Sequence, residues 1–198
     1  MRESRRIAMR LVLATRNRHK QREFARLLPA HELDPLPDEA ALPPEQAATF
    51  ADNALVKARA AAVATGRPAI ADDSGIAAAA LGGRPGTRSA RYAGENATDA
   101  ENLDKLRSEA PAGSELTYVC ALAYSDPVAQ RERVFEGRCE GVVAADPRGD
   151  NGFGYDPIFL PGESLAQGRT MAELADTEKD SISHRARAAR ALDSWLRG

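Results

Sequence analysis

Ala71-Asp72-Asp73-Ser74-Gly75 sets two carboxylates side by side after a short apolar run, Pro68-Ala69-Ile70-Ala71. Adjacent anions repel, so a fold places them either in a solvated turn, which Asp, Ser and Gly readily form, or around a cation. Three further segments invite the second reading. Thr15-Arg16-Asn17-Arg18-His19-Lys20 follows an apolar run and opens a helical pattern. Backbone N–H groups, the positive helix end and Lys20 suit phosphate there, although the spacing is not that of a Walker A loop. Asn151-Gly152-Phe153-Gly154-Tyr155-Asp156-Pro157 brackets a ring with two glycines, so a backbone can approach a planar ligand and Phe153 or Tyr155 can stack on a base. Glu178 to Arg185 brings Lys179, His184 and Arg185 to a helix opening, again favourable to an anion. Each segment alone has a plain structural explanation: a capped helix start, a loop anchored by a buried aromatic, a solvated lysine such as Lys57. Together they match the needs of a Mg²⁺-bound nucleoside triphosphate, because Mg²⁺ takes one or two protein carboxylates and completes its shell with phosphate oxygens and water.

The elements that must position these residues are legible in outline. Arg10 to Ala14 reads as a buried strand, followed by a helix from about Arg18 to Leu28 and a short strand around Glu32 to Leu36. Thr49, with Asp52 three residues on, opens a second helix that Gly66 closes; Asn53 and Lys57 share one of its faces. Ile70 and Ala71 lead into an acidic turn, Ile76 to Leu81 reads as a separate strand, and Gly82 to Gly86 as a loop. Thr98 and Glu101 form a capping box for a third helix ending near Glu109. Alternation through Leu116, Tyr118, Cys120, Leu122 and Tyr124, a turn at Ser125-Asp126-Pro127 and a strand to Val143 predict an antiparallel pair. Ser181 to Arg197 reads as one amphipathic closing helix. The class is therefore α/β or α+β.

With 198 residues and no linker-like tract, a single domain over 1–198 is expected, with residues 1–9 a possible disordered extension. A net charge of -2 gives no global pull towards nucleic acid or anionic lipid, so anion binding must be local. No apolar run approaches a membrane span, and the basic start lacks the apolar stretch of a secretory signal, so a cytoplasmic location is expected. Cys120 and Cys139 have no metal-ligand spacing and are assigned no chemistry.

Leu-Ala-Thr-Arg-Asn-Arg-His-Lys (13–20), Thr-Phe-Ala-Asp-Asn-Ala-Leu-Val-Lys-Ala (49–58), Ala-Asp-Asp-Ser-Gly (71–75), Leu-Gly-Gly-Arg-Pro-Gly (81–86), Ser-Ala-Arg-Tyr-Ala-Gly (89–94), Gly-Phe-Gly-Tyr-Asp-Pro-Ile-Phe (152–159) and Ser-His-Arg (183–185) follow one another in order. They resemble the inosine triphosphate pyrophosphatase family, the Ham1-like non-canonical purine nucleotide pyrophosphatases, across almost the whole chain. The resemblance implies Mg²⁺-dependent hydrolysis of ITP, dITP and XTP to the monophosphate and pyrophosphate. It also implies an elongated α/β fold, a mixed sheet flanked by helices around a central nucleotide-binding cleft, and a homodimer. Carried over, it makes Asp73 the catalytic base and a metal ligand, Glu45 the second metal carboxylate and Asp72 a support. Thr15, Asn17, Lys20, Lys57 and Lys179 would hold phosphates, with Arg16, Arg18 and His19 in the same substrate-binding loop. Ser74 would touch substrate, and Phe153, Gly154, Tyr155, Asp156, His184 and Arg185 would surround the base. The chain departs from the family pattern at Ala47, Ala79 and Arg88. A non-catalytic nucleotide-binding module is the reading from another class, and a related pyrophosphatase acting on other nucleotides is a second; a pyrophosphate assay and a substrate panel separate them.

Overall fold

Three fully buried residues, Leu11, Val12 and Leu13, make the N-terminal strand β1 (Arg10–Leu13) the natural centre of a parallel group. The computed structural model describes residues 8–198. β1 pairs in parallel with β2 (Glu32–Pro35) on one side and with β3 (Ala69–Ala78) on the other. β4 (Glu115–Asp126) and β5 (Arg131–Val143) are joined by a short connection that makes them antiparallel, and β6 (Phe159–Pro161) adds antiparallel to β5. The result is one mixed six-stranded sheet in the order β2-β1-β3-β4-β5-β6. Helices α1 (Arg18–Leu27), α2 (Phe50–Thr65), α3 (Asp99–Glu109), α4 (Asp176–Ile182) and α5 (His184–Leu196) flank it.

The helix ends follow local chemistry. Asn17 caps α1 by accepting from the His19 and Lys20 amides, Thr49 caps α2 through the Asp52 amide, and Gly66 ends α2 in the left-handed conformation. Thr98 and Glu101 form the expected capping box at α3.

Contacts group the chain into two compact units. The first holds residues up to Asp73, Ala121–Glu136 and Arg187–Gly198; the second holds Ser74–Cys120 and Gly137–Ala186. The first unit has an alanine-rich core: Ala54, Ala58, Ala61 and Ala62 of α2 are buried with Ala69, Ala71 and Val12. Small side chains there bring the helix close to the strands, so this alanine content is packing rather than filler. The second unit packs larger groups, Leu106, Leu116, Ile158, Phe159, Met171 and Leu174 among them.

Three sequence expectations change. Asp72 and Asp73 do not form a turn: β3 runs unbroken from Ala69 to Ala78 with both carboxylates buried in its middle. The separate strand expected over 76–81 is the end of β3 followed by a 3-10 turn, Ala79–Leu81. The single closing helix from Ser181 is two helices, because Ser183 leaves helical geometry (φ -65°, ψ 156°) and its Oγ accepts the Ala186 amide at 3.2 Å, capping α5 afresh. Of the extension expected over 1–9, residues 1–7 lie outside the described residues; the Met9 carbonyl accepts the Glu32 amide at 2.9 Å.

Gly75 marks where β3 passes closest to its surroundings. A Cβ there would lie 2.4 Å from Ser89 Oγ and 2.6 Å from the Gly86 carbonyl. Ser89 Oγ in turn accepts the Ile76 amide and donates to Gly86. Gly75→Ala is therefore expected to lower stability by about 1–3 kcal/mol through overpacking, read in urea or thermal unfolding. A change below about 0.5 kcal/mol would contradict this close approach.

Candidate functional site

In the first unit, the buried acids of β3 are met by side chains from two helices. Lys20, in the first turn of α1, forms an ion pair with Asp72 at 2.8 Å. Lys57 of α2 donates to the Asp72 carbonyl at 2.6 Å and also bonds the Glu45 carboxylate. Asn53, one turn before Lys57, donates from Nδ2 to Asp73 Oδ2 at 2.8 Å. The Asp73 carboxyl is raised to about 6, first because burial disfavours its charge and then because Glu45 repels it; Lys57, the Asn53 bond and Lys20 pull the other way. Burial would by itself lower the Lys57 ammonium's pKa, yet Asp72, Glu45 and Asp73 together raise it, so Lys57 stays charged.

This arrangement suits a divalent cation. The charge of Glu45 raises the Asp73 carboxyl, and a cation beside Asp73 would relieve that repulsion. Among the described residues no group of three or more His, Cys, Asp or Glu side chains is placed to hold a metal. The remaining ligands would be phosphate oxygens and water, which is the way Mg²⁺ is ordinarily bound.

The rest of the Thr15–Lys20 segment divides. Thr15 is buried and its Oγ1 accepts the Asn17 amide. Arg16 turns its guanidinium onto the carbonyls of Leu36, Pro37, Asp38 and Ala40 and so fastens the chain after β2. Arg18 and His19 are exposed on the first turn of α1, with His19 Nδ1 3.1 Å from Arg22.

The second unit gathers the aromatic and C-terminal residues. Asp156 is its pivot: Oδ1 accepts from the Tyr118 hydroxyl at 3.0 Å, and Oδ2 accepts from Lys179 Nζ at 2.7 Å and from the Phe153 amide at 3.0 Å. Three donors satisfy a carboxylate that is almost wholly buried. Lys179 and Arg185 also lie over the Phe153 ring, at 5.3 and 5.0 Å from its centroid. Arg185 donates to Ser74 Oγ at 2.7 Å. His184 stacks flat on Tyr118 with ring centroids 4.5 Å apart and 4° between planes. Burial, reinforced by Asp156, pushes the Tyr118 phenol far above its usual range, so it remains a neutral donor.

Gly152 has a reason within the protein itself. Gly152 has φ +77°, and a Cβ on it would fall 2.0 Å from Asp156 Oδ2, so the close approach is to the protein's own carboxylate. The Gly154 amide donates to Asp99 Oδ2 at 2.9 Å, pinning the loop to the start of α3. Tyr155 is buried with its hydroxyl on the Ser89 carbonyl, an anchor rather than an open face. Lys179, expected among the phosphate-binding lysines, pairs with Asp156 at 2.7 Å. Tyr118 was missed in the sequence, where only its place in an alternating strand showed. Asn53 left one signal, its shared helix face with Lys57.

The raised Asp73 pKa has a consequence for stability. A carboxyl whose folded pKa exceeds its unfolded value favours folding below the unfolded value, and that contribution is lost as pH rises through the folded one. Here the window runs from about 4 to about 6. In metal-free buffer Asp73→Asn should therefore be more stable than wild type at pH 7.5, by up to about 3 kcal/mol, with the gap closing towards pH 4. Paired urea titrations at the two pH values check this; a gap independent of pH, or of opposite sign, would refute the burial of this charge.

The matching family profile is that of the Ham1 family, over residues 11–195. A relative from Geobacillus kaustophilus, called dITP/XTP pyrophosphatase, is 48% identical over 191 residues, 92% of each chain. One of the same name from Frankia alni is 47% identical, covering 96% of this chain and 98% of its own. Among solved structures, a HAM1 protein from Coxiella burnetii superposes with a TM-score of 0.84 at 40% identity, over 95% of this chain and 98% of that one. Alike in profile, in near full-length sequence and in fold, the chain belongs to the Ham1 family.

Proposed function

We propose that this protein hydrolyses non-canonical purine nucleoside triphosphates, dITP, ITP and XTP, to the nucleoside monophosphate and pyrophosphate, with Mg²⁺ as cofactor. Two relatives of nearly equal length carry the name dITP/XTP pyrophosphatase. The observation that carries the reading is the buried Asp73 carboxyl, held by Asn53, repelled by Glu45 and raised to about 6. A carboxylate placed there could accept the proton of an attacking water. Water oxygen bonds the α-phosphorus, the bond to the bridging oxygen breaks, pyrophosphate leaves, and the water proton passes to Asp73.

Asp73 and Glu45 would hold the cation, which when bound neutralises phosphate charge. Lys20 and Lys57 would bind phosphate beside the positive end of α1, whose first amides Asn17 caps, and Thr15 shapes that turn. For the base, Phe153, with Lys179 and Arg185 at 5.3 and 5.0 Å from its ring centroid, would supply apolar contact, and His184 and Arg185 would serve as donors. Donors there match the C6 oxygen of hypoxanthine and xanthine and meet the amino group of adenine donor to donor, leaving buried groups unpaired. Among the described residues no helix is long and apolar enough to cross a membrane. With a net charge of -2 and the family likeness, we further propose a cytoplasmic homodimer that binds nucleotides and no nucleic acid.

A panel of dITP, XTP, GTP and ATP in Mg²⁺ tests the reading. kcat/KM for dITP and XTP should exceed that for ATP by about 10² or more, and ATP within about tenfold of dITP would replace it with a general pyrophosphatase. Asp73→Asn should lower pyrophosphate release by about 10²–10⁴ in a folded protein. Retention of a tenth of the rate would remove Asp73 from the base role.

The two lysines should separate. Lys20→Ala is expected to weaken all triphosphates alike, whereas Lys179→Ala, through Asp156 and Phe153, should narrow the ratio of dITP to ATP. Equal loss for both nucleotides in Lys179→Ala would return that residue to the phosphates.

A further inference from the structure

Asn53 uses its buried side-chain amide at both ends. Nδ2 donates to Asp73 Oδ2 at 2.8 Å, and Oδ1 accepts the Ala47 amide at 2.9 Å; the Ala47 carbonyl lies 3.4 Å from Nδ2. The partners fix the orientation of the amide, since a flip would set oxygen against the Asp73 carboxylate and nitrogen against the Ala47 N–H. Ala47 is two residues beyond Glu45. One side chain on α2 therefore ties the Asp73 carboxylate to the segment that carries Glu45.

We infer that Asn53 is a positioning residue, a neutral tether that sets the Asp73 carboxylate against Glu45 for the hydrolytic step; this rests on the function proposed above. Neutrality matters to the task. Lys20 and Lys57 already neutralise part of the cluster from Asp72 and Glu45. An amide N–H fixes Oδ2 without adding a further charge to a cluster that already holds two ammonium groups. The rest of the anchor is rigid: Asn53 sits on the first turns of a 16-residue helix whose start is capped by Thr49.

Two variants separate the ends of the tether. Asn53→Ala removes both bonds. Asn53→Asp keeps an acceptor for the Ala47 amide but sets an acceptor against Asp73, and being isosteric it serves if the alanine variant fails to fold. For Asn53→Ala the expected result is kcat for dITP lower by about 10–100-fold with KM within about threefold, in a protein that still unfolds cooperatively. Exchange of the Ala47 amide by NMR should speed up by at least about tenfold. Asn53→Asp, at pH 8, should keep slow Ala47 exchange and lose at least as much kcat as Asn53→Ala. The inference is overturned if a folded Asn53→Ala keeps kcat within about twofold, if the loss falls on KM alone, or if Asn53→Asp retains wild-type kcat. Unchanged Ala47 exchange in Asn53→Ala would likewise overturn it. Should the wild-type chain release no pyrophosphate from dITP, the functional reading fails by itself, and the exchange arm still decides the tether.

Discussion

Burying two adjacent carboxylates in the interior of a strand is unfavourable twice over, because each loses water and each repels its neighbours. Around Asp72 and Asp73 the first unit is arranged to offset this. Asp72 is neutralised by Lys20, while its carbonyl and Glu45 hold Lys57 in place. Asp73 receives only a neutral amide from Asn53 and stays above its ordinary pKa. The asymmetry divides the labour: one acid is spent on structure and the other is kept reactive. Positions of α1, of α2 and of the segment before α2 follow from it, and the alanine core beneath α2 allows the approach that Asn53 and Lys57 need.

Asp156 in the second unit shows the opposite solution. It too is buried, but three donors, from Tyr118, Lys179 and the Phe153 amide, satisfy it fully. A carboxylate so held is a strut: it fixes the Phe153 loop, fixes the Lys179 ammonium over the ring, and through Tyr118 reaches the flat stack on His184. Gly152 is required there because the chain passes so close to that carboxylate that no Cβ fits.

Local chemistry was legible in the sequence and distant chemistry was not. The caps at Thr49, Gly66 and Thr98 were readable because donor, acceptor and spacing lie within a few residues. The β4–β5 pair was readable from alternation. Asp72-Asp73-Ser74-Gly75 read as a turn because those residues form turns when solvated. What keeps the acids in a strand is Lys20, Lys57 and Asn53, brought from other elements. Ser183 looked like the interior of a helix until its side chain was seen to cap the next one. Arg16 read as part of the substrate-binding loop, while the carbonyls between Leu36 and Ala40 that it binds carry no mark in the sequence. The family resemblance picked out the site residues as a set; that Lys20 pairs with Asp72 and Lys179 with Asp156 came from the structure.

The central claim is that the Asp73 cluster, loaded with a divalent cation, cleaves between the α- and β-phosphates. Phosphorus-31 NMR of dITP incubated with the full chain, with Mg²⁺ and with a chelator in its place, tests it most directly. The account predicts pyrophosphate and deoxyinosine monophosphate appearing in equal amounts with Mg²⁺ and neither with the chelator. Orthophosphate with the diphosphate, or undiminished turnover in the chelator, would contradict it.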